Sequence, residues 1–284
     1  MTVMGDQRGG GFAWRERPGA AGAPVLVCLH GIGSNAGAFD ALVPHLPADW
    51  RVIAWDAPGY GDSRPLVPDW PLAADYAGAL AQFAGRLGLG RFRLLGHSLG
   101  TLIGAAFASR HPGRVERLTL AACAQGYGTP QGAALPAGVA ARIDDLDRLG
   151  GGAFAARRAA RLVAAPAANP DLVARVEAAM AAVRQPGYGQ AARMLASGDL
   201  AAEAAGLAVP TDVIVGAEDV VTPPAQSRAV WAALPAAVRG RLVLVPGAGH
   251  AVPQQAPAAV AALLAADLTA DLPASGAGEA AHVR

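Results

Sequence analysis

Residues 91–110 read Arg91-Phe-Arg-Leu-Leu-Gly96-His97-Ser98-Leu99-Gly100-Thr-Leu-Ile-Gly-Ala-Ala-Phe-Ala-Ser-Arg110, and their order decides the fold. The apolar run over 91–95 predicts a buried strand, and the small residues of 101–110, stopped by Pro112, predict a helix. Between them stands Gly-x-Ser-x-Gly. Alone, that string says little in a chain with 36 glycines. Between a strand and a helix it has a physical reason, because a strained turn lifts a serine oxygen clear of the sheet and flanking glycines let the two backbones approach. Ser98 is therefore the candidate nucleophile. The N–H of Leu99, the next residue, points to the same space.

Working outward, the same alternation recurs. Phe12–Arg17 alternates like an exposed strand, Val25–Leu29 is a short continuous apolar run, and 51–55 is another. Helices are expected over 36–46 and 72–87, and a strand over 115–123. Residues 124–207 then hold no convincing strand and read as four short helices, near 139–149, 153–163, 170–183 and 190–196. Alternation resumes with strands at 211–215 and 241–245 and helices at 224–234 and 257–268. Strands separated by helices at this spacing predict a mostly parallel sheet covered on both faces. The expected organisation is an α/β core over 1–123 and 208–272, an all-helical insertion over 124–207, and a frayed tail over 273–284.

A serine hydroxyl at neutral pH needs a base within hydrogen-bond reach. His250, in Pro246-Gly-Ala-Gly-His250-Ala251, follows the last strand, and loops at the C-terminal ends of parallel strands are where such sheets place their sites. His97 adjoins Ser98 and should point away from it. His45, His111 and His282 fall at a helix end, a helix–loop junction and the tail. An imidazole base needs a carboxylate to fix its tautomer and stabilise its cation. Val215-Gly-Ala-Glu218-Asp219-Val-Val-Thr-Pro-Pro224 offers two, and register after Gly216 favours Asp219 over Glu218. A second oxyanion donor is expected from His30-Gly-Ile-Gly33 after the first buried strand, with Ile32 the candidate by position and His30 bracing the loop.

On these motifs, together with Asp56-Ala-Pro-Gly-Tyr-Gly-Asp-Ser63, the sequence resembles the α/β-hydrolase superfamily over nearly its whole length. The resemblance implies an eight-stranded, mostly parallel sheet flanked by helices, with an antiparallel second strand and a helical cap inserted after strand six. Within the superfamily the chain looks most like the capped bacterial group that contains 3-oxoadipate enol-lactonase and the hydrolases of ring-cleavage products. It departs from the carbon–carbon hydrolases at two places, having Ala251 where they usually carry Trp after the histidine and His97 where they carry Asn before the nucleophile. A serine nucleophile also separates it from the haloalkane dehalogenases and epoxide hydrolases of this fold, which use Asp.

Composition narrows the chemistry. All 23 basic residues are Arg, which excludes Schiff-base chemistry, a P-loop lysine and a Ser–Lys dyad. A net charge of +1 gives no electrostatic reason to expect nucleic acid or an anionic membrane as partner. Cys28 and Cys123 sit in apolar runs and read as small buried hydrophobes, and no metal-ligand spacing occurs. The expected protein is cytoplasmic, needs no cofactor and no metal, and takes a small, mostly apolar substrate; its oligomeric state is left open. The expected reaction is hydrolysis of a small carboxylic ester or lactone through an acyl-enzyme on Ser98. The alternatives are hydrolysis of a carbon–carbon bond in a vinylogous diketone and, from another class, a ligand-binding protein on the same scaffold. Leu135, Phe154, Met180, Tyr188, Met194, Leu195 and Val252 are candidates to line the pocket. The arginines at 157, 158, 161, 184 and 193 are expected on solvated helix faces, which suits a neutral, medium-sized substrate; the carbon–carbon alternative would instead use one of them to hold the substrate's dienoate carboxylate.

Overall fold

The apolar runs become the middle of an eight-stranded sheet in a computed structural model that describes residues 3–266. The strands are β1 Gly5–Gly9, β2 Phe12–Arg17, β3 Val25–Leu29, β4 Arg51–Asp56, β5 Phe92–His97, β6 Val115–Ala121, β7 Thr211–Gly216 and β8 Arg239–Val245. Their spatial order is β1-β2-β4-β3-β5-β6-β7-β8. β2 runs antiparallel to both neighbours, and the pairs from β4 to β8 are parallel. The α-helices are α1 Ala73–Arg86, α2 Leu99–Arg110, α3 Ala137–Ala156, α4 Pro170–Ala181, α5 Gly187–Ser197, α6 Leu200–Ala205, α7 Pro224–Ala233, α8 Val252–Gln255 and α9 Pro257–Ala265. The expected tail and His282 lie outside the described residues.

Each central strand feeds two cores because successive side chains leave opposite faces. Val27 and Leu29 of β3 join Leu94 of β5 in a layer with Leu80 and Phe83 of α1 and Phe107 of α2. Leu26, Cys28 and Leu95 pack on the other face with Val260 and Leu263 of α9. Both cysteines are buried, free thiols, and burial pushes the Cys123 thiol up to about 12. The site therefore rests on strands held from both sides.

The structure differs from the sequence reading in five places. β1 is an exposed polar strand, Gly-Asp-Gln-Arg-Gly, with no alternation to read; it is held by pairing with β2 through a turn at Gly10–Gly11. The expected helix over 36–46 is two 3₁₀ turns, Ala36–Phe39 and Val43–His45. Asn35 caps the first, and Pro44, with no N–H to donate, sits in the first turn of the second. The break expected at Gly150 is present, since φ 70° and ψ 165° there split α3 into two helical pieces, but the second piece stops at Ala156 instead of running to 163, and a 3₁₀ turn, Ala159–Leu162, follows. The short helices α6 and α8 were not foreseen at all. Among the described residues, no strand interrupts the chain between β6 and β7.

Candidate active site

Ser98 sits between β5 and α2 with φ 52° and ψ −117°, a left-handed conformation that costs a non-glycine residue on the order of 1–3 kcal/mol. The glycines around it explain how this is tolerated. A Cβ on Gly96 would lie 2.3 Å from the Gly100 carbonyl oxygen, and one on Gly100 would lie 2.3 Å from that of Leu29. Strand, turn and helix thus meet backbone to backbone. The helix opens at Leu99, whose N–H, like that of Ile32 in the loop after β3, has no acceptor among the described residues.

The loops after β7 and β8 bring two side chains to the serine. His250 Nε2 lies 2.9 Å from Ser98 Oγ, and its Nδ1 lies 2.9 Å from Asp219 Oδ2. An imidazole that donates from Nδ1 to a carboxylate keeps Nε2 free to accept the serine proton. Asp219 is itself held tightly: Oδ1 accepts from the N–H groups of Val221 at 2.8 Å and Thr222 at 2.9 Å, and Oδ2 accepts from the Thr222 hydroxyl at 2.9 Å. Burial alone would raise its carboxyl, but His250 and these N–H donors outweigh that and hold it below the usual carboxylate range. It is ionised at neutral pH. Its rival, Glu218, is exposed.

Two positioning groups were not singled out from the sequence. The Thr222 hydroxyl also lies 3.1 Å from His250 Nδ1, so it touches both members of the pair. His97 makes no hydrogen bond to the Ser98 side chain; its Nε2–H donates to the His250 carbonyl at 2.8 Å. Burial, and after it the neighbouring His250, lowers His97 to about 3, so it stays neutral and keeps that role across the working pH range. The Thr-Pro-Pro turn and the His before the serine were visible as letters, but only the meeting of two distant loops gives them partners. His30 braces its loop: one ring nitrogen bonds the Gly31 carbonyl at 2.8 Å, and the other accepts from the Ala57 N–H at 3.1 Å. His45 and His111 lie away from the cluster, the latter against Phe107.

A cavity of about 600 Å³ opens over Ser98 and His250. Phe154, Met180, Tyr188 and Leu195 line it, as does Ile32. Leu135, Met194 and Val252 do not. Tyr188 and Leu195 are two turns apart on α5 and share a face, while Met194, one residue off, turns about 100° away into the core. Val252 is packed beneath the site against α9 and the 3₁₀ turns, and Leu135 covers Val139 and Ala192. Arg142, Arg158 and Arg161 line the cavity; Arg161 is exposed as expected, whereas Arg158 and Arg193 are half-buried, contrary to expectation. Arg157 and Arg184 are exposed as expected, and Arg184 donates to the Gly61 carbonyl. Among the described residues, no group of three His, Cys, Asp or Glu could hold a metal ion, and no helix is long and apolar enough to cross a membrane.

The chain belongs to the α/β hydrolase fold family, whose sequence profile matches residues 24–257. The pimeloyl-[acyl-carrier protein] methyl ester esterase of Neisseria meningitidis is 42% identical over 109 residues, which are 38% of this chain and 40% of that enzyme. The chain thus aligns with well under two thirds of that relative's length. RutD of Enterobacter cloacae, a proposed carbamate hydrolase, is 30% identical over 81% of this chain and 85% of its own. Among solved structures, a thermophilic esterase from Thermogutta terrifontis superposes with a TM-score of 0.76 at 25% identity, covering 89% of this chain and 92% of the other. The enol-lactonase of Burkholderia xenovorans shares the fold, with a TM-score of 0.77 at 24% identity over 92% of this chain and 98% of its own.

Proposed function

We propose that the protein is a serine hydrolase that cleaves a small carboxylic ester or lactone. The observation that carries this reading is the relay of two 2.9 Å contacts, Ser98 Oγ to His250 Nε2 and His250 Nδ1 to Asp219 Oδ2. Ser98 Oγ attacks the substrate carbonyl while Nε2 takes its proton, and Asp219 stabilises the imidazolium. The N–H groups of Leu99 and Ile32 hold the tetrahedral oxyanion. On collapse, His250 returns the proton to the leaving alkoxide, which leaves an acyl-enzyme. Water attacks that ester with His250 again as base, and the acid departs with Ser98 restored. A closed lactone gives the same steps, with the leaving alcohol still tethered to the acyl group. Residues 124–207 act as a cap, since they supply one wall of the cavity while the sheet supplies the other. No cofactor enters this scheme.

A second reading, hydrolysis of a carbon–carbon bond in a ring-cleavage product, is favoured by one observation, the arginines in the cavity. The kcat/KM values for a p-nitrophenyl ester, a lactone and a dienone on one preparation decide between them, and the ester or lactone is expected to lead by at least about tenfold. The test of the class as a whole is covalent. A fluorophosphonate probe should label Ser98 alone, and Ser98→Ala should lower kcat on the order of 10⁴–10⁶-fold with the fold intact. Retained activity or labelling elsewhere would remove the proposal. A scaffold that only binds would show neither labelling nor turnover.

A further inference from the structure

The backbone is held on both sides of His250, and part of that hold comes from the helical insertion. On one side the Ala251 N–H donates to the Leu162 carbonyl at 2.8 Å, and Ala251 packs against Val163, Leu172 and Val176. On the other, the Gly249 N–H donates to Gln255 Oε1 at 3.0 Å. That oxygen also accepts from the Ala164 N–H at 3.0 Å, while Gln255 Nε2 donates to the Ala164 carbonyl at 2.9 Å. One amide side chain thus joins the loop that carries the imidazole to a segment 91 positions away in sequence.

The seam is close-fitting. A Cβ on Gly249 would lie 2.7 Å from the Ala164 nitrogen and 3.1 Å from the Leu162 carbonyl oxygen. Gln255 is itself anchored, since its N–H donates to the Ala251 carbonyl at 2.9 Å. Gly249 is buried, and Ala164 and Gln255 are half-buried. A backbone N–H removed from water needs an acceptor, and here two of them share one oxygen. Leu162, two residues before Ala164, lines the cavity together with His250. The same clamp therefore fixes a piece of cavity wall and the group that faces it.

We infer that Gln255 is a positioning residue for His250: by holding Gly249 and Ala164 on one oxygen, it sets where the imidazole stands between Ser98 and Asp219. This rests on the serine-hydrolase reading of the same site. Gln255 acts through the backbone and bonds neither Ser98 nor Asp219. The relay leaves little room for drift, because both His250 contacts are 2.9 Å and a misplacement of about 1 Å can cost on the order of 100-fold in rate. A glutamate at this position keeps the clamp, since its carboxylate accepts from both N–H groups. The Ala164 carbonyl then still has a donor, Asn169 Nδ2 at 3.1 Å.

The test is steady-state kinetics on p-nitrophenyl butyrate, with kcat expressed per site titrated to completion by a fluorophosphonate, so that unfolded protein does not count. Gln255→Leu, similar in size but without polar atoms, should lower kcat per site by at least about tenfold while KM stays within about twofold. Gln255→Glu should recover most of that loss. Gln254→Leu, a neighbouring change on the same short helix, should leave kcat per site within about twofold. A merely structural role would lower Tm or the number of titratable sites and leave kcat per site unchanged. An unchanged kcat per site in Gln255→Leu, a loss carried by KM instead, or an equal loss in Gln254→Leu overturns the inference. So does a Gln255→Glu variant that loses about tenfold or more in kcat per site, and that variant decides the matter if Gln255→Leu yields no titratable sites. Failure of the hydrolase reading is seen separately, as absence of fluorophosphonate labelling at Ser98 in the wild-type enzyme.

Discussion

The two walls of the cavity are built on opposite terms. On the sheet side the three side chains that meet at the candidate site already have partners, and what is left open is the pair of backbone N–H groups at Leu99 and Ile32. Asp219 accepts four hydrogen bonds, His250 is engaged at both ring nitrogens and at its carbonyl, and Ser98 is fixed by a backbone that admits no Cβ on either flanking glycine. On the helical side, α3, α4 and α5 contribute apolar surface from Phe154, Met180 and Tyr188, with the guanidiniums of Arg142 and Arg161 left without partners among the described residues. The difference follows from what each wall must do. A proton relay works only if its geometry is set before the substrate arrives. A recognition surface gains affinity by leaving groups for the substrate to satisfy.

Substitutions on the two walls should therefore fail differently. The largest effect is expected on the sheet side: Asp219→Asn should lower kcat on the order of 10⁴-fold through a mis-set imidazole tautomer, with KM little changed. Glu218→Gln, one residue away and exposed, should leave kcat within about twofold, as for a surface change. Steady-state kinetics on the two variants checks this, and the reverse ranking would move the acid to Glu218.

Thr222→Val comes next. It removes one hydroxyl donor from Asp219 while leaving the two N–H donors, and should cost about tenfold in kcat. It also makes a prediction about pH. The native Asp219 carboxyl is held below its unfolded value, so its contribution to stability is fully present above the unfolded carboxylate value and is lost as pH falls through the native one. Losing a donor to the carboxylate raises the native value towards the unfolded one, so Thr222→Val reduces that contribution. Thermal unfolding should show a Tm deficit in the variant at neutral pH that shrinks on acidification below about pH 4. A deficit that is constant with pH would mean that Thr222 stabilises the loop by packing alone.

The smallest effect belongs to the helical wall. Met180→Ala removes apolar surface from the cavity and no member of the relay, so KM should rise about fourfold, the equivalent of one methylene of contact, while kcat holds. A fall in kcat with KM unchanged would show that α4 positions the relay as well as the substrate. That result would narrow the contrast between the walls, and the structure offers a route for it, because the Ala251 N–H, next to His250, donates to the Leu162 carbonyl at 2.8 Å.

The sequence by itself determined seven of the eight strands and the three residues that meet at the candidate site. Strands such as β3 and β7 are buried on both faces, so their apolar runs stand out without any knowledge of neighbours. Ser98, Asp219 and His250 could be read because each stands in a short motif at the end of such a strand, where the backbone admits few residue types. β1 could not be read, since its polar residues bury nothing and it exists only by pairing with β2. The 3₁₀ turns after β3 also depend on a distant group, the Asp56 carboxylate that accepts from the Ala36 N–H at 2.7 Å. Only the tertiary structure decided which side chains of the insertion face the cavity. Tyr188 and Met194 are both apolar positions of one amphipathic helix, and their separation into pocket wall and core depends on the rotation of α5 against its neighbours. The same holds for Arg142 and Asp145: one turn apart they read as a helical ion pair, yet Arg158 takes the carboxylate and leaves Arg142 turned to the cavity. Motifs are local because they answer backbone constraints, whereas the choice among several possible partners is settled only when distant segments pack together.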